Sequence, residues 1–295
     1  MCVVLNDRPA PPPGASNYVL LILDSCRFDS WVRASPRVMS KLGALEQRYS
    51  YATWTAPSHY NLLMGLLPHR SPKGVYASEY YKADFLQFKD RFSLPGLSFS
   101  SMIPHLWLPK YLQGIGYRTH MYASMPVLNP ETPLNTGFDT YELLDAHNDV
   151  GQAFQKMRFD AARPSFFLIN TGETHYPYAT PDEPEHRWPR LSGIHGVLQD
   201  LDGQLRRGAL IRPEDPGADR LFDDAKMRAL HARQVHAVQW VDRQVETLFD
   251  LCPANTYVTI TSDHGELFGE SGYFGHGPIQ HEKGVEVPFV EGRLR

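Results

Sequence analysis

Short, continuously apolar runs alternate along the chain with stretches in which apolar residues recur every three or four positions. Tyr18-Val19-Leu20-Leu21-Ile22-Leu23 is of the first kind and reads as a strand buried on both faces of a parallel sheet; it ends at Asp24. Residues 165–170 form a second such run, stopping just before Gly172-Glu173-Thr174-His175, and residues 256–261, rich in β-branched side chains, stop at Ser262-Asp263-His264-Gly265. Residues 106–115 read as a short helix ended by Gly114 and Gly116, with residues 117–123 as the strand after it. The longest helix is predicted over residues 222–251, where Met227, Leu230, Val238, Val241, Val245 and Leu248 recur at spacings of three, four or twice four. A helix is predicted over residues 36–49, with Ser35 as N-cap, Pro36 at its first position and Val38, Leu42 and Leu45 as its stripe. Another begins near Pro57, carries Leu62, Leu63 and Leu66 inward, and stops at Pro68, so that Thr55 stands at its entrance.

Between these elements, residues 67–108 read as irregular cover over a site, with Tyr76, Tyr80, Tyr81, Phe85 and Phe88 among its aromatics. Residues 181–216, dense in Pro, Gly and charge, read as a lid or excursion. Strands alternating with helices, without an internal repeat, predict the α/β class. Residues 1–16, with Pro9, Pro11, Pro12 and Pro13, are expected to be a disordered lead, and residues 17–295 a single domain.

A chain of 295 residues with 42% hydrophobic side chains is long enough for one large core. Its 29 Lys+Arg against 33 Asp+Glu, with no basic run, point away from nucleic acid and anionic lipid. Cys2, Cys26 and Cys252 are an odd number without CxxC spacing, which argues against a disulfide framework or a Cys-based zinc site. The apolar residues 1–5 are too few for a signal or a membrane span. A cytoplasmic location with no membrane partner is therefore expected.

Ligands of open α/β sheets bind beyond the carboxyl ends of strands, and the polar residues fall at that edge. Asp24, Asp263 and His264 combine carboxylate oxygens with an imidazole nitrogen, a donor set for a divalent cation, with Zn2+ first and Mn2+ or Mg2+ as alternatives. A threonine hydroxyl is a weak nucleophile until a cation lowers its pKa, and Thr55, in Thr55-Ala56-Pro57-Ser58-His59, stands at a helix N-terminus where an anionic ester is favoured. Ser58 and His59 are expected to contact the ester oxygens. Singly, each of these carboxylates reads as an ordinary cap and Thr55 as an N-cap; their combination points to chemistry.

Four blocks carry a resemblance. Asn17 to Asp29 reads NYVLLILDSCRFD, Thr55 to Arg70 reads TAPSHYNLLMGLLPHR, Thr174 to Tyr178 reads THYPY, and Ser262 to Gly277 reads SDHGELFGESGYFGHG. In order and approximate spacing they resemble the sulfatase-like branch of the alkaline phosphatase superfamily, over nearly the whole chain as far as Val287-Pro288. The resemblance implies a mixed, mostly parallel sheet sandwiched between helices, and a metal held by Asp24, Asp263 and His264 with Thr55 as coordinated nucleophile. It also implies substrate-contacting, catalytic roles for His175 and His276, and Arg27 near the site. A second metal on Glu173, His175 and His276 is left open.

The departures from that pattern narrow the chemistry. Sulfatases carry Cys or Ser in a C/S-x-P-x-R motif for oxidation to formylglycine, whereas this chain has Thr55 there and His59 in place of the arginine. Threonine cannot yield formylglycine, and a threonine nucleophile is what phosphodiesterases, phosphonate monoester hydrolases and phosphoethanolamine transferases of the superfamily use. Asp24 is followed by Ser25 rather than by a second acid, which favours a transition metal over calcium. The expected activity is hydrolysis or transfer of a small phosphate-type ester. Sulfuric-ester hydrolysis without formylglycine and a catalytically silent anion-binding protein are the alternatives. Ending soon after Pro288, the chain is expected to be a minimal version of the fold or to be completed by another subunit in a homo-oligomer.

Overall fold

The computed structural model describes residues 8–70, 83, 86–97, 107–189, 224–279 and 281–294, and its sheet begins with β1 (Asn17–Leu23), buried throughout. The chain continues through α1 (Phe28–Ala34), β2 (Glu46–Tyr49), α2 (Thr55–Leu63), α3 (Phe88–Phe92), α4 (Leu108–Gly114), β3 (Arg118–Ala123), β4 (Thr140–Leu143), α5 (Val150–Lys156) and β5 (Ser165–Thr171). Then come α6 (Asp224–Leu251), β6 (Thr256–Thr261), a ribbon of β7 (Leu267–Phe268) and β8 (Phe274–Gly275), α7 (Glu282–Val285) and β9 (Glu286–Arg293). The seven-stranded sheet has the order β2-β9-β6-β1-β5-β3-β4. It is parallel from β6 to β4 and antiparallel where β9 joins β6 and β2. This is the mixed, mostly parallel α/β sheet that the sequence predicts.

Alternation along β1 supplies two cores. Tyr18, Leu20 and Ile22 face one side, where Leu62 and Leu63 of α2, Phe88 and Phe92 of α3, and Leu112 of α4 cover them. Val19, Leu21 and Leu23 face the other, against Trp31 of α1 and Val238, Val241, Val245 and Leu248 of α6. Each of these side chains is removed from water, worth about 1.5–3 kcal/mol apiece, which is why the central strands need no polar face. The apolar stripe predicted for residues 222–251 is the buried face of α6.

Residues 36–49 do not form the predicted helix. The N–H groups of Arg37, Val38 and Met39 donate to the carboxylate of Asp242, on α6, leaving only a 3-10 turn at Met39–Lys41. Glu46–Tyr49 pairs antiparallel with β9, which seats the Arg48 guanidinium 3.3 Å from the Phe289 ring centroid. Tertiary partners for the backbone override the local helical pattern here. In the stretch expected as irregular cover, Phe88 and Phe92 are instead core residues, stacked on each other and meeting the Tyr18 ring edge-on. Tyr76, Tyr80, Tyr81 and Phe85, and residues 190–216 of the expected lid, lie outside the described residues.

Residues 8–16, expected to belong to a disordered lead, are packed against the sheet. Arg8 pairs with Asp139, and the Arg163 guanidinium donates to the carbonyls of Arg8 and Pro9. Among the described residues no helix is long and apolar enough to cross a membrane.

Candidate active site

Register brings three strand ends level. Leu23 lies opposite Thr171 and Ile22 opposite Thr261, so the segments after β1, β5 and β6 leave the sheet side by side. Ser25 takes the left-handed conformation at φ 62°, which turns the chain sharply behind Asp24. Its N–H donates to Asp263 Oδ1 at 3.2 Å, and the Cys26 N–H donates to Ser262 Oγ at 2.9 Å, so the β1 and β6 ends are stitched together. Gly265 permits the turn after His264 to lie flat on α7: a Cβ there would sit 2.0 Å from the Lys283 carbonyl oxygen.

Ligand-capable atoms of Asp24, Asp263 and His264 all lie within 4.8 Å of one another, and all three side chains are buried. His264 Nδ1–H donates to the Gly265 carbonyl at 2.8 Å, which leaves the Nε2 lone pair facing the two carboxylates. Nε2 stands 3.5 Å from Asp263 Oδ2 and 3.7 Å from Asp24 Oδ1. Asp24 Oδ2 accepts from the Asn170 amide at 2.9 Å, and Asp263 Oδ2 is buried without a hydrogen-bond partner.

Two carboxylates this close and this dry do not both ionise freely. Burial, and next the Asp24 charge, push Asp263 well above the usual carboxylate range. Burial opposes ionisation of Asp24 too, but the imidazoles of His175, His264 and His59 and the Asn170 amide outweigh it and lower its pKa. Burial, with His276 nearby, depresses His264 to about 3, keeping its imidazole neutral. An orphaned carboxylate oxygen, a neutral imidazole lone pair and surplus negative charge are what a divalent cation would satisfy, so this donor set fits one.

Thr55 opens α2 at this cluster. Its Oγ1 lies 3.3 Å from His264 Nε2 and 3.4 Å from Asp24 Oδ1. The two further histidines flank it. His276 has its ring centroid 4.4 Å from that of His264 and 5.0 Å from that of His175, and its Nδ1 is 3.1 Å from Glu266 Oε1. Burial depresses His276, but the Glu266 carboxylate more than compensates and its pKa is raised; burial lowers that of His175.

Four expected site residues are engaged by groups of the protein itself. Arg27 is buried and its guanidinium is taken up by Asp29 at 2.7 Å and Glu270 at 2.6 Å, so it latches the 266–277 loop rather than meeting a substrate. Ser58 Oγ turns back to the Ala52 carbonyl, and His59, fully buried, donates from Nδ1 to the Thr55 carbonyl at 2.8 Å while the same nitrogen stands 3.6 Å from Asp263 Oδ2. Glu173 does not join His175 and His276. Its Oε1 accepts the Val150 N–H at 2.7 Å at the start of α5, and burial pushes its pKa up to about 8. Among the described residues no second metal cluster of this kind occurs.

The structure also recruits residues that the sequence reading passed over: Asn170, Ser25 and Glu266 beside the cluster, and Gln234 beneath it. Glu266 lies inside the SDHGE block, and Gln234 fills the gap between Leu230 and Val238 in the apolar stripe of α6. A polar side chain in the middle of a buried face was the available signal.

No curated protein sequence matches the chain significantly. Among solved structures, it is similar to the C-terminal periplasmic domain of EptC from Escherichia coli in complex with Zn, at 14% identity and TM-score 0.54, covering 95% of this chain and 73% of that one. It is similar to BT4656 in complex with its substrate D-glucosamine-2-N,6-O-disulfate, at 15% identity and TM-score 0.57, covering 95% and 71%. It is also similar to the phosphonate monoester hydrolase of Agrobacterium radiobacter, at 15% identity and TM-score 0.50, covering 94% and 68%. The periplasmic neighbour overturns the expected cytoplasmic location, which rested only on an absence of targeting signals. At such identities the neighbours speak for the fold, but residues 16–290 match the sulfatase family model, and on that match the chain belongs to the sulfatase family, within the alkaline phosphatase superfamily.

Proposed function

We propose that this protein is a metal-dependent hydrolase or transferase of small phosphate-type esters, with Thr55 as nucleophile. The observation that carries the reading is the placement of Thr55 Oγ1 within 3.4 Å of both Asp24 Oδ1 and His264 Nε2, in a family position where formylglycine chemistry would need Cys or Ser. Asp24, Asp263 and His264 would hold the cation, Zn2+ first with Mn2+ or Mg2+ as alternatives. Bound there, it would lower the pKa of the Thr55 hydroxyl and offset charge on the transferring group.

The chain's own groups account for the rest. Free N–H groups in the first turn of α2 favour an anionic ester beside Thr55. His59, by holding the Thr55 carbonyl, fixes the turn that aims Oγ1. Oγ1, its own proton released to solvent, forms a bond to phosphorus as the bond to the leaving oxygen breaks, and His276, whose protonated form Glu266 favours, gives that oxygen a proton. Water or an acceptor hydroxyl then attacks phosphorus, the bond to Oγ1 breaks, and the attacking group's proton returns to His276. His175, kept neutral by burial, stands opposite as a hydrogen-bonding partner for the substrate.

Sulfuric-ester hydrolysis is the second reading, favoured by likeness to a structure bound to a sulfated sugar. Aryl phosphate, phosphodiester, phosphonate and sulfate esters assayed side by side with several metals separate the two. Phosphate-type turnover is expected, lost in Thr55→Ala while metal content stays near wild type. Undiminished turnover in that variant refutes the nucleophile, and turnover of the sulfate ester alone refutes the substrate class.

A further inference from the structure

Gln234 is buried on the sheet-facing side of α6, as His231 and Asp242 are, and its carboxamide uses both ends. Nε2 donates to the carbonyls of Ser25 and Thr174, each at 2.9 Å, and Oε1 accepts from Ser30 Oγ at 2.6 Å and from the Arg27 N–H at 3.4 Å. Two carbonyls on one side and a backbone N–H on the other leave a single amide orientation that satisfies the network. One side chain thus ties the turn after β1 to the turn after β5.

Ser25 is where that tie matters. At φ 62° it holds a conformation that disfavours any residue with a Cβ, and it is pinned from both sides, by its N–H to Asp263 Oδ1 and by its carbonyl to Gln234. Its hydroxyl donates to Asp24 Oδ1 at 3.1 Å. The same residue therefore touches both carboxylates of the cluster. Thr174 completes the arrangement, because its Oγ1 donates to the Asp24 carbonyl at 2.7 Å while its own carbonyl is held by Gln234.

We infer that Gln234 is a positioning residue for the metal cluster, holding Ser25 in its left-handed conformation so that Asp24 and Asp263 stay aimed at one point. This rests on the metal reading above. Gln234 touches neither the cation site nor the substrate, and it acts through the backbone of Ser25. Without its two donors the Ser25 and Thr174 carbonyls lose their buried partners, and relaxation of Ser25 toward negative φ swings its N–H off Asp263.

The test is metal affinity of the full chain. Protein stripped with a chelator is titrated with Co2+, read from its absorption spectrum, for wild type, Gln234→Met, Ser25→Gly and the double variant. Glycine takes φ 62° without penalty, so it removes the need for the clamp. Gln234→Met is expected to keep its circular dichroism and bind Co2+ about ten- to a hundredfold more weakly, as loss of an outer partner of a metal site does. The double variant is expected to recover to near the Ser25→Gly value. If Gln234→Met does not fold, Gln234→Leu, which likewise removes the donors without adding charge, takes its place in the same comparison. Wild-type affinity in the Gln234 variant, or a double variant no tighter than the single one, overturns the inference while the metal reading stands. A wild-type protein that takes up no Co2+ overturns both.

Discussion

Asp263 Oδ2 lies 3.5 Å from His264 Nε2 in the dry centre of the strand-end cluster, and no hydrogen-bond donor reaches it among the described residues. That vacancy in the hydrogen-bond network gives Asp263 opposite effects on stability and on metal affinity. Asp263→Asn removes the repulsion with Asp24, so the metal-free variant should melt above metal-free wild type. It also removes a ligand, so metal affinity should fall by more than about 100-fold, beyond the loss of an outer partner. Melting curves with chelator and with added Zn2+ read both effects, since a ligand that binds the folded state alone raises the midpoint. An apo variant less stable than apo wild type would contradict the shared-charge picture.

His276 and Glu266 set a pH limit. The ordinary imidazole pKa of 6.5 is pulled down by burial, but Glu266 reverses the sign and raises it in the folded state. A raised pKa means that the pair's contribution to stability is complete below 6.5 and is lost as pH rises through the folded-state value. Activity that needs the protonated ring follows the same limb. Glu266→Gln should move the alkaline limb of kcat/KM to lower pH, and esters with good leaving groups should be less affected than alkyl esters. A pH profile that does not move would remove Glu266 from this role.

Glu173 reports on burial rather than catalysis. Its carboxyl is pushed from 4.5 to about 8, so the folded state holds a proton that the unfolded state has released. Stability must therefore decline as pH rises from 4.5 toward 8. Glu173→Gln keeps an acceptor for the Val150 N–H and abolishes that decline. It should exceed wild type in stability at pH 8 by an amount on the order of 4 kcal/mol and match it near pH 4. Chemical denaturation at both pH values checks the sign.

Arg27 is expected to affect stability rather than KM. With its guanidinium buried between Asp29 and Glu270, Arg27→Leu takes the guanidinium from both carboxylates, although each is about a third exposed and water takes over part of the loss. A cost at or below about 3 kcal/mol follows, at the low end for a broken buried pair. The Michaelis constant should hold while the melting temperature falls and kcat drops with the loosened His276 loop. A large rise in KM alone would restore Arg27 to the substrate.

Elements whose partners are all alike were readable from the chain. β1 and β5 carry unbroken apolar runs and β6 is short and rich in β-branched residues, so the acids and histidines after them stand out by contrast. α6 was readable because its stripe is long. The antiparallel strands β2 and β9, and the short helices α1 and α5, were not read as such. Residues 46–49 carry three polar side chains, and their strand exists because β9 supplies hydrogen-bond partners, which no local pattern records.

By itself, the order of residues determined the parallel core, the edge of the sheet that carries chemistry and the donor types gathered there, because strand burial and metal chemistry both depend on residue kind. Only the tertiary structure decided which polar groups face the cluster and which face away. Arg27, Ser58 and Glu173 lie in the same sequence blocks as Asp24, Thr55 and His175, yet their hydrogen bonds are spent on Glu270, Ala52 and Val150. A side chain's direction is set by partners far off in the chain, so Gln234, more than 200 residues beyond Asp24, takes part in aiming it while neighbours in sequence do not.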